Sequence, residues 1–254
     1  MKLLTIAKFT FLEVYRSKLM LGLVFLGFGL SLITYVASEF AYGASAKVAL
    51  DVGLGIMSLS NLAIAIFIGS TLLSKEIEQR TLYMILSRPI SRTSFLLGKI
   101  LGLSSVLLLN TLILGILSIF LFMQQGGTGQ ALFPWVLLFS FFEALIILVF
   151  AVFFSLITNV TLSVICTFAI CVTGHALNET SRLILVKLSP VLKLIIDTCF
   201  FFIPNLYKLN LKDFLLYQQT IDLNYLVMTQ AYALLYLTAM FALIMLLFKN
   251  KNLD

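Results

Sequence analysis

Long runs of apolar residues, almost free of charge, constrain this chain more than any other feature of its sequence. A helix needs about 20 mostly apolar residues to cross about 30 Å of hydrocarbon. Six runs reach or approach that length. They cover residues 19–37, 52–73, 95–123, 132–157, 160–174 and 226–248. With 61% hydrophobic residues and a mean hydropathy of +1.10, the sequence predicts an all-α integral membrane protein with six transmembrane helices.

The distribution of lysine and arginine predicts which side the chain ends face. Six spans place both termini on one side, and 11 of the 17 cations fall there. Those cations are Lys2, Lys8, Arg16, Lys18, Lys75, Arg80, Arg88, Arg92, Lys99, Lys249 and Lys251. Because cations concentrate on the cytoplasmic side of short loops, we expect both termini in the cytoplasm. The net charge of +6 then follows from topology and anionic lipid headgroups, so no nucleic acid is needed as a partner.

The first residues, 1–18, are predicted to form an interfacial helix. Lys8, Glu13 and Arg16 interrupt the apolar core that a secretory signal requires. Charged side chains can reach water while the apolar ones rest at the acyl boundary. The alternative is that these residues are only the charged start of the first span.

The segment between the second and third spans, 74–92, is dense in charges and turn signals. Ser74 is expected to cap a short helix, with Glu76 and Glu78 in its first turn. Pro89 ends that helix, and Ser91 offers a cap for the next one. The pattern predicts an amphipathic helix on the cytoplasmic surface, and the alternative is a solvated loop that obeys the charge rule.

Residues 75–102, KEIEQRTLYMILSRPISRTSFLLGKILG, resemble the cytoplasmic loop of permease subunits of type-2 ABC transporters. That loop shows an acidic pair, a threonine, a short apolar helix, a Pro-Ile/Val-Ser-Arg turn and a Gly-Lys that enters the third span. The matching positions here are Glu76 with Glu78, Thr81, 83–86, 89–92, and Gly98 with Lys99. The stretch 203–205 before the last span also resembles the external segment of gliding- and copper-maturation-type bacterial members.

The resemblance implies a single permease domain over 1–254, in which 74–92 is a coupling segment that docks on a separate ATPase subunit. The implied polar contacts are Glu76, Glu78, Arg80, Arg88 and Arg92, and the implied apolar anchors are Tyr83, Met84 and Leu86. Pro89 begins the turn that follows these anchors. It further implies a homodimer, or a dimer with a similar subunit, together with two soluble ABC ATPase subunits that bind ATP and Mg²⁺. Export across the bacterial inner membrane and membrane lipids as further partners are also implied.

The chain itself has no sequence signature of catalysis. It contains no GxxxxGK[ST] phosphate loop, no GxSxG, no HExxH and a single histidine. His175 and Glu179 are four residues apart, but one histidine with one carboxylate is an incomplete metal site. Cys166, Cys171 and Cys199 are scattered and predicted to be small buried apolar residues. We therefore expect no cofactor, no metal and no enzyme activity.

Glu143 is the acid that lies well inside a predicted span, near mid-membrane. An ionisable residue at that depth is a functional candidate, here a proton or ion site. The alternative is a structural carboxyl that hydrogen-bonds a neighbour such as Asn110 or Ser140. A lone acid without a cationic partner makes a poor relay, which favours the structural role.

The stretch 175–225 is expected to form amphipathic helices on the external side, because Lys187, Lys193 and Asp197 make a seventh span costly. Its apolar residues suit a hydrophobic or amphiphilic cargo. Other classes remain open: a stand-alone secondary transporter or channel, a membrane-embedded enzyme, or a membrane partner of an ATPase that transports nothing.

Overall fold

The computed structural model describes residues 2–16, 19–40, 43–78, 91–129, 131–182, 203–217 and 221–250, and it contains no strand among them. The helices are α1 (Lys2–Tyr15), α2 (Leu19–Phe40), α3 (Ser45–Glu78), α4 (Arg92–Gln124), α5 (Phe133–Ile157), α6 (Val160–Arg182), α7 (Lys212–Leu216) and α8 (Leu223–Asn250), with a 3-10 turn at Leu206–Leu209. Each of the six apolar runs lies on one of these helices, and the all-α class is confirmed.

Four of the described helices contain a stretch long and apolar enough to cross a membrane. These stretches are Ser45–Thr71, Arg92–Gln124, Phe133–Ile157 and Leu223–Lys249. The apolar parts of α2 and α6 are shorter, at Phe25–Ala37 and Val160–Ala176. Length and composition therefore support several membrane crossings, and the number six stays a prediction.

Two local boundaries agree with the sequence pattern. The Ser91 side chain accepts a hydrogen bond from the Ser94 N–H at 3.2 Å and caps α4. Thr158 adopts an extended conformation after α5, and α6 begins two residues later at Val160. So short a connection makes α5 and α6 antiparallel neighbours. Helix α6 extends past the apolar run 160–174 to Arg182.

The end of α3 corrects the expectation for Ser74. This residue does not cap a new helix, because α3 continues without a break from Ser45 to Glu78. The Ser74 hydroxyl instead donates to the Ser155 carbonyl oxygen of α5 at 3.3 Å. No glycine or proline lies between residues 70 and 78 to end the helix, and a serine inside a helix is free to bond a neighbouring element. Glu76 and Glu78 thus belong to the last turns of α3.

Helix α3 lies at the centre of the bundle and packs against α2, α4 and α5. Its buried side chains include Leu54 and Met57, which meet residues such as Leu107 and Phe139 in one continuous apolar core. Large apolar side chains also cover the outside, and Phe28 on α2 is 65% exposed. An apolar exterior around an apolar core is what a bilayer requires of a protein that it surrounds.

The described part of the stretch 175–225 packs on the bundle. Leu206, Leu209 and Leu215 are buried, and the 3-10 turn and α7 contact α3, α5 and α6. The Lys212 ammonium lies 2.6 Å from the Asp51 carboxylate of α3. The helical character expected here is confirmed for these residues, while Lys187, Lys193 and Asp197 lie outside the described residues.

Candidate functional site

The predicted coupling segment is described only at its two ends. Residues 79–90 lie outside the described residues, and they include Arg80, Tyr83, Met84, Leu86, Arg88 and Pro89. Glu76 and Glu78 are placed as residues of α3, without a description of their side chains. Arg92 is the member of the predicted set whose contacts are known. The segment therefore starts and finishes on the two long helices α3 and α4.

Arg92 joins the beginning of α4 to the end of α8. Its guanidinium Nη1 lies 3.3 Å from the Lys249 carbonyl oxygen and 3.5 Å from that of Phe248. These oxygens belong to the last turn of α8, where carbonyl groups have no partner within the helix and the dipole is negative. A cation there satisfies the free carbonyls. Arg92 thus has a structural contact besides its predicted role in coupling.

Helix α1 packs tightly along the same part of α4, through two glycines one turn apart. A Cβ atom at Gly102 would lie 2.6 Å from the Thr10 Cβ and 2.8 Å from the Ala7 carbonyl oxygen. One at Gly98 would lie 2.8 Å from the Ile6 Cβ. Glycines four residues apart let two helix backbones approach closely in a membrane. The motif was visible in the sequence as GKILG, but its partner helix was not.

Lys99 lies between these glycines and is almost buried. Its side chain is 8% exposed, its ammonium lies 3.6 Å from the Glu13 carboxylate of α1, and it also lies 6.0 Å from the centre of the Phe95 ring. Glu13 is 73% exposed, so this ion pair is half solvated and adds little energy. Gly98 and Lys99, the Gly-Lys pair that resembles the family pattern, therefore both contact α1 and hold it against α4.

Glu143 has a partner that the sequence analysis missed. Its carboxylate Oε1 lies 3.0 Å from the His175 Nε2 of α6. The structural partners considered for it, Asn110 and Ser140, make no described hydrogen bond with it, and Asn110 bonds elsewhere. The expectation that Glu143 lies alone was therefore wrong, because residues 32 positions apart in sequence meet across two antiparallel helices.

His175 and Glu143 share one proton. The other ring nitrogen of the histidine, Nδ1, lies 3.0 Å from the Cys171 carbonyl oxygen, which only accepts hydrogen bonds. We therefore assign a proton to Nδ1. The contact between Nε2 and Oε1 then needs one more proton, carried either by the ring, as an ion pair, or by the carboxyl group. The contact therefore holds one proton between the two side chains.

A small polar cavity adjoins the carboxylate. It has about 10 Å³ of space for the centre of a water molecule and is lined by Glu143, Ser140, Ser58 and Asn61, among others. That volume is close to the minimum for one water. His175 and Glu179 were considered as a metal pair, but the Glu179 side chain lies outside the described part of the structure. The described residues contain no cluster of three or more His, Cys, Asp or Glu that could hold a metal ion.

Asn61 connects this cavity to a buried polar network between α3 and α4. The Asn110 side-chain amide donates to Asn61 Oδ1 at 2.7 Å, and the Asn61 amide donates to the Thr111 hydroxyl at 2.9 Å. Ser60 donates to Asn110 Oδ1 at 3.2 Å. We call these four residues the polar network. It joins the two helices that carry the predicted coupling segment.

The cysteines agree with the expectation where they are described. Cys171 is buried, Cys166 is half-buried, both are free thiols, and Cys199 lies outside the described residues. The stretch 203–205 contacts the end of α6, since a Cβ atom at Gly174 would lie 2.8 Å from the Pro204 carbonyl oxygen. The Asn205 N–H donates to the Tyr232 hydroxyl of α8 at 3.0 Å. This stretch therefore links α6 to α8.

Comparison with known proteins agrees with these features. The model of the ABC-2 family transporter protein matches residues 4–253, nearly the whole chain. No curated protein matches the chain. Because the family match covers nearly the whole chain, the chain belongs to the ABC-2 family of transporter proteins.

Proposed function

We propose that this chain is the permease subunit of an ATP-driven exporter, coupled to a separate ATPase through residues 74–92. The observation that carries the proposal is the family match over 4–253, since ABC-2 proteins are the membrane components of ABC transporters and associate with an ABC ATPase. The ATPase would bind ATP and Mg²⁺, and this chain would bind no cofactor.

The contacts at the ends of the coupling segment support a mechanical role. The segment leaves α3 at Glu78 and joins α4 at Arg92, and these helices pack extensively on each other at the bundle centre. Arg92 also holds the end of α8, and Gly98 with Gly102 holds α1. A displacement of the segment would therefore act on four helices. Such rigid-body movement is a known way to switch a protein between two states.

The proposed topology has six crossings, with the termini and the coupling segment in the cytoplasm and the stretch 175–225 outside. The apolar lengths of α3, α4, α5 and α8 support four crossings directly, and α2 and α6 would complete the six. The proposed assembly is a homodimer with two ATPases in a bacterial inner membrane. Its cargo would be hydrophobic or amphiphilic, in keeping with the apolar bundle.

Co-purification tests this proposal. Tagged protein is isolated from its native host in mild detergent, and ATPase activity is measured on the eluate for wild type and for Glu76→Ala/Glu78→Ala. The proposal predicts a nucleotide-binding subunit that is lost or uncoupled in the double variant. The control is Asp213→Ala/Asp222→Asn, which removes two acids from the opposite side while an oxygen remains for the Asn224 N–H. Equal loss in both variants would contradict the coupling role.

A second candidate function is a stand-alone transporter driven by protons, and the contact between Glu143 and His175 favours it. A shared proton inside a membrane protein is a usual element of a proton pathway. This candidate predicts uptake or efflux in vesicles that follows a pH gradient without ATP and is lost in Glu143→Gln.

The permease proposal predicts that transport needs ATP and the ATPase subunit. A homodimer that binds an ATPase but moves no cargo would give ATPase activity without transport.

A further inference from the structure

An apolar groove of about 390 Å³ opens on the side of the bundle between α4, α5 and α8. Leu97 and Leu101 of α4 form one wall, Val149 of α5 the floor, and Leu237 and Phe241 of α8 the other wall. Helix α8 packs mainly on α5 and only briefly on α4. The groove is the space left where α4 and α8 separate above the contact that Arg92 makes with the end of α8.

The walls of this groove have no polar group that needs a partner from an occupant. The two hydroxyls among its lining residues, Ser104 and Thr238, each donate to a carbonyl oxygen of their own helix, Leu101 at 2.8 Å and Leu235 at 2.9 Å. Hydroxyls that bond their own helix are compatible with a hydrocarbon environment. An occupant of the groove therefore contacts apolar surface along its length.

Two cations lie at the end of the groove where the helices meet. Arg92 begins α4, five residues before Leu97, and Lys249 lies in the last turn of α8, eight residues after Phe241. At about 1.5 Å per residue, the backbones of these two residues lie roughly 8 to 12 Å from the groove along the helix axes. The Lys249 side chain is exposed, and the Arg92 guanidinium keeps its charge while it contacts the carbonyl oxygens.

We propose that this groove binds an anionic glycerophospholipid, with an acyl chain between α4 and α8 and the phosphate at Lys249 and Arg92. The charge at one end and the apolar walls beyond it match the two parts of such a lipid. Basic positions between transmembrane helices attract anionic headgroups in the same way. The proposed orientation places this lipid in the cytoplasmic leaflet, but binding itself does not depend on the orientation or on an ATPase.

A helix of a second copy fits the groove less well than a lipid chain. A helix is at least about 10 Å across with its side chains, so it would lie over the mouth of the groove rather than inside its 390 Å³. A lipid acyl chain is narrower and more flexible than a helix, so it can lie inside the groove along its whole length.

Native mass spectrometry of the full chain in detergent tests the proposal, with phosphatidylglycerol and phosphatidylcholine of identical acyl chains as probes. The wild type should retain phosphatidylglycerol in preference to phosphatidylcholine. Lys249→Ala should weaken that binding roughly fivefold, and Lys249→Arg should restore it. Ala242→Trp, which fills the groove, should weaken it roughly tenfold. Ala231→Trp, on the exposed outer half of α8, is the matched control and should change nothing.

Three results would overturn the proposal. Equal retention of the two lipids by the wild type would show that the charges at Lys249 and Arg92 select no headgroup. Equal behaviour of Ala242→Trp and Ala231→Trp would show that the acyl chain lies elsewhere. If Ala242→Trp changes the oligomeric state and leaves lipid retention intact, the groove binds a second copy instead.

Discussion

The N-terminal end of α4 and the centre of the bundle hold helices together in opposite ways. At the end of α4, Gly98 and Gly102 bring α1 into backbone contact, and the ion pair of Lys99 is largely solvated at Glu13. At the centre, α3 meets α4 through the polar network, and α5 meets α6 through Glu143 and His175. One region depends on shape and the other on polar contacts.

The two kinds of contact suit the N-terminal end of α4 and the centre of the bundle to different roles. A close backbone contact has one geometry, so the end of α4 moves together with α1 as a unit. A shared proton and a cavity at the centre allow more than one arrangement of charge and water. We therefore expect the end of α4 to transmit displacement and the centre to permit it. The following changes, from largest to smallest expected effect, test that distinction.

Gly102→Leu should have the largest effect. A Leu side chain there meets the Thr10 side chain and the Ala7 backbone, so α1 must leave α4, at a cost of about 3 kcal/mol. The free energy of unfolding in detergent and proteolysis of α1 measure it. The control is Gly29→Leu on α2, where a Cβ atom has no neighbour within 4 Å. Similar stability of the two variants would contradict the close contact.

Asn110→Ala should cost less, about 1 to 2 kcal/mol. The change removes the Asn110 amide group that donates to Asn61 and the Asn110 oxygen that accepts from Ser60. The Asn61 oxygen and the Ser60 hydroxyl then stay buried without these hydrogen bonds. Ser105→Ala is the control, because that hydroxyl is exposed and bonds only its own helix at Leu101. Thermal unfolding of the purified protein compares them. A cost no greater than that of the control would argue against the polar network.

Glu143 and His175 should show a coupling energy of about 1 kcal/mol in a double-mutant cycle with Glu143→Ala and His175→Ala. The two single changes disturb the same contact, so their effects should not add. Unfolding measurements on the two single variants and the double variant give this energy. Strict additivity would mean that the two side chains do not interact.

Arg92→Gln should have the smallest effect on stability, about 0.5 kcal/mol, since its described hydrogen bonds are to carbonyl groups in the last turn of α8. Hydrogen exchange should become faster at residues 246–249 and stay unchanged in α5. Arg92→Lys keeps the charge and should recover most of the protection. Faster exchange throughout the bundle would show that Arg92 supports more than the end of α8.

Elements that depend on local pattern were predictable from the sequence. The helices that carry the six apolar runs and the Ser91 cap follow from hydropathy and capping, which act within a few residues. The contacts of the candidate site depend on tertiary packing. The sequence analysis assigned Gly102 no packing role, and it gave Glu143 no partner. Ser74 was misread because capping residues also occur inside helices, where other partners satisfy them.

Photo-crosslinking from position 83 tests the central claim, that residues 74–92 bind an ATPase, most directly. Tyr83 is replaced by p-benzoylphenylalanine in the native host, and Tyr217, an exposed tyrosine after α7, is replaced in the same way as the control. The account predicts that position 83 crosslinks to a nucleotide-binding protein and that position 217 does not. The absence of such an adduct at position 83, or equal adducts at both positions, would contradict it.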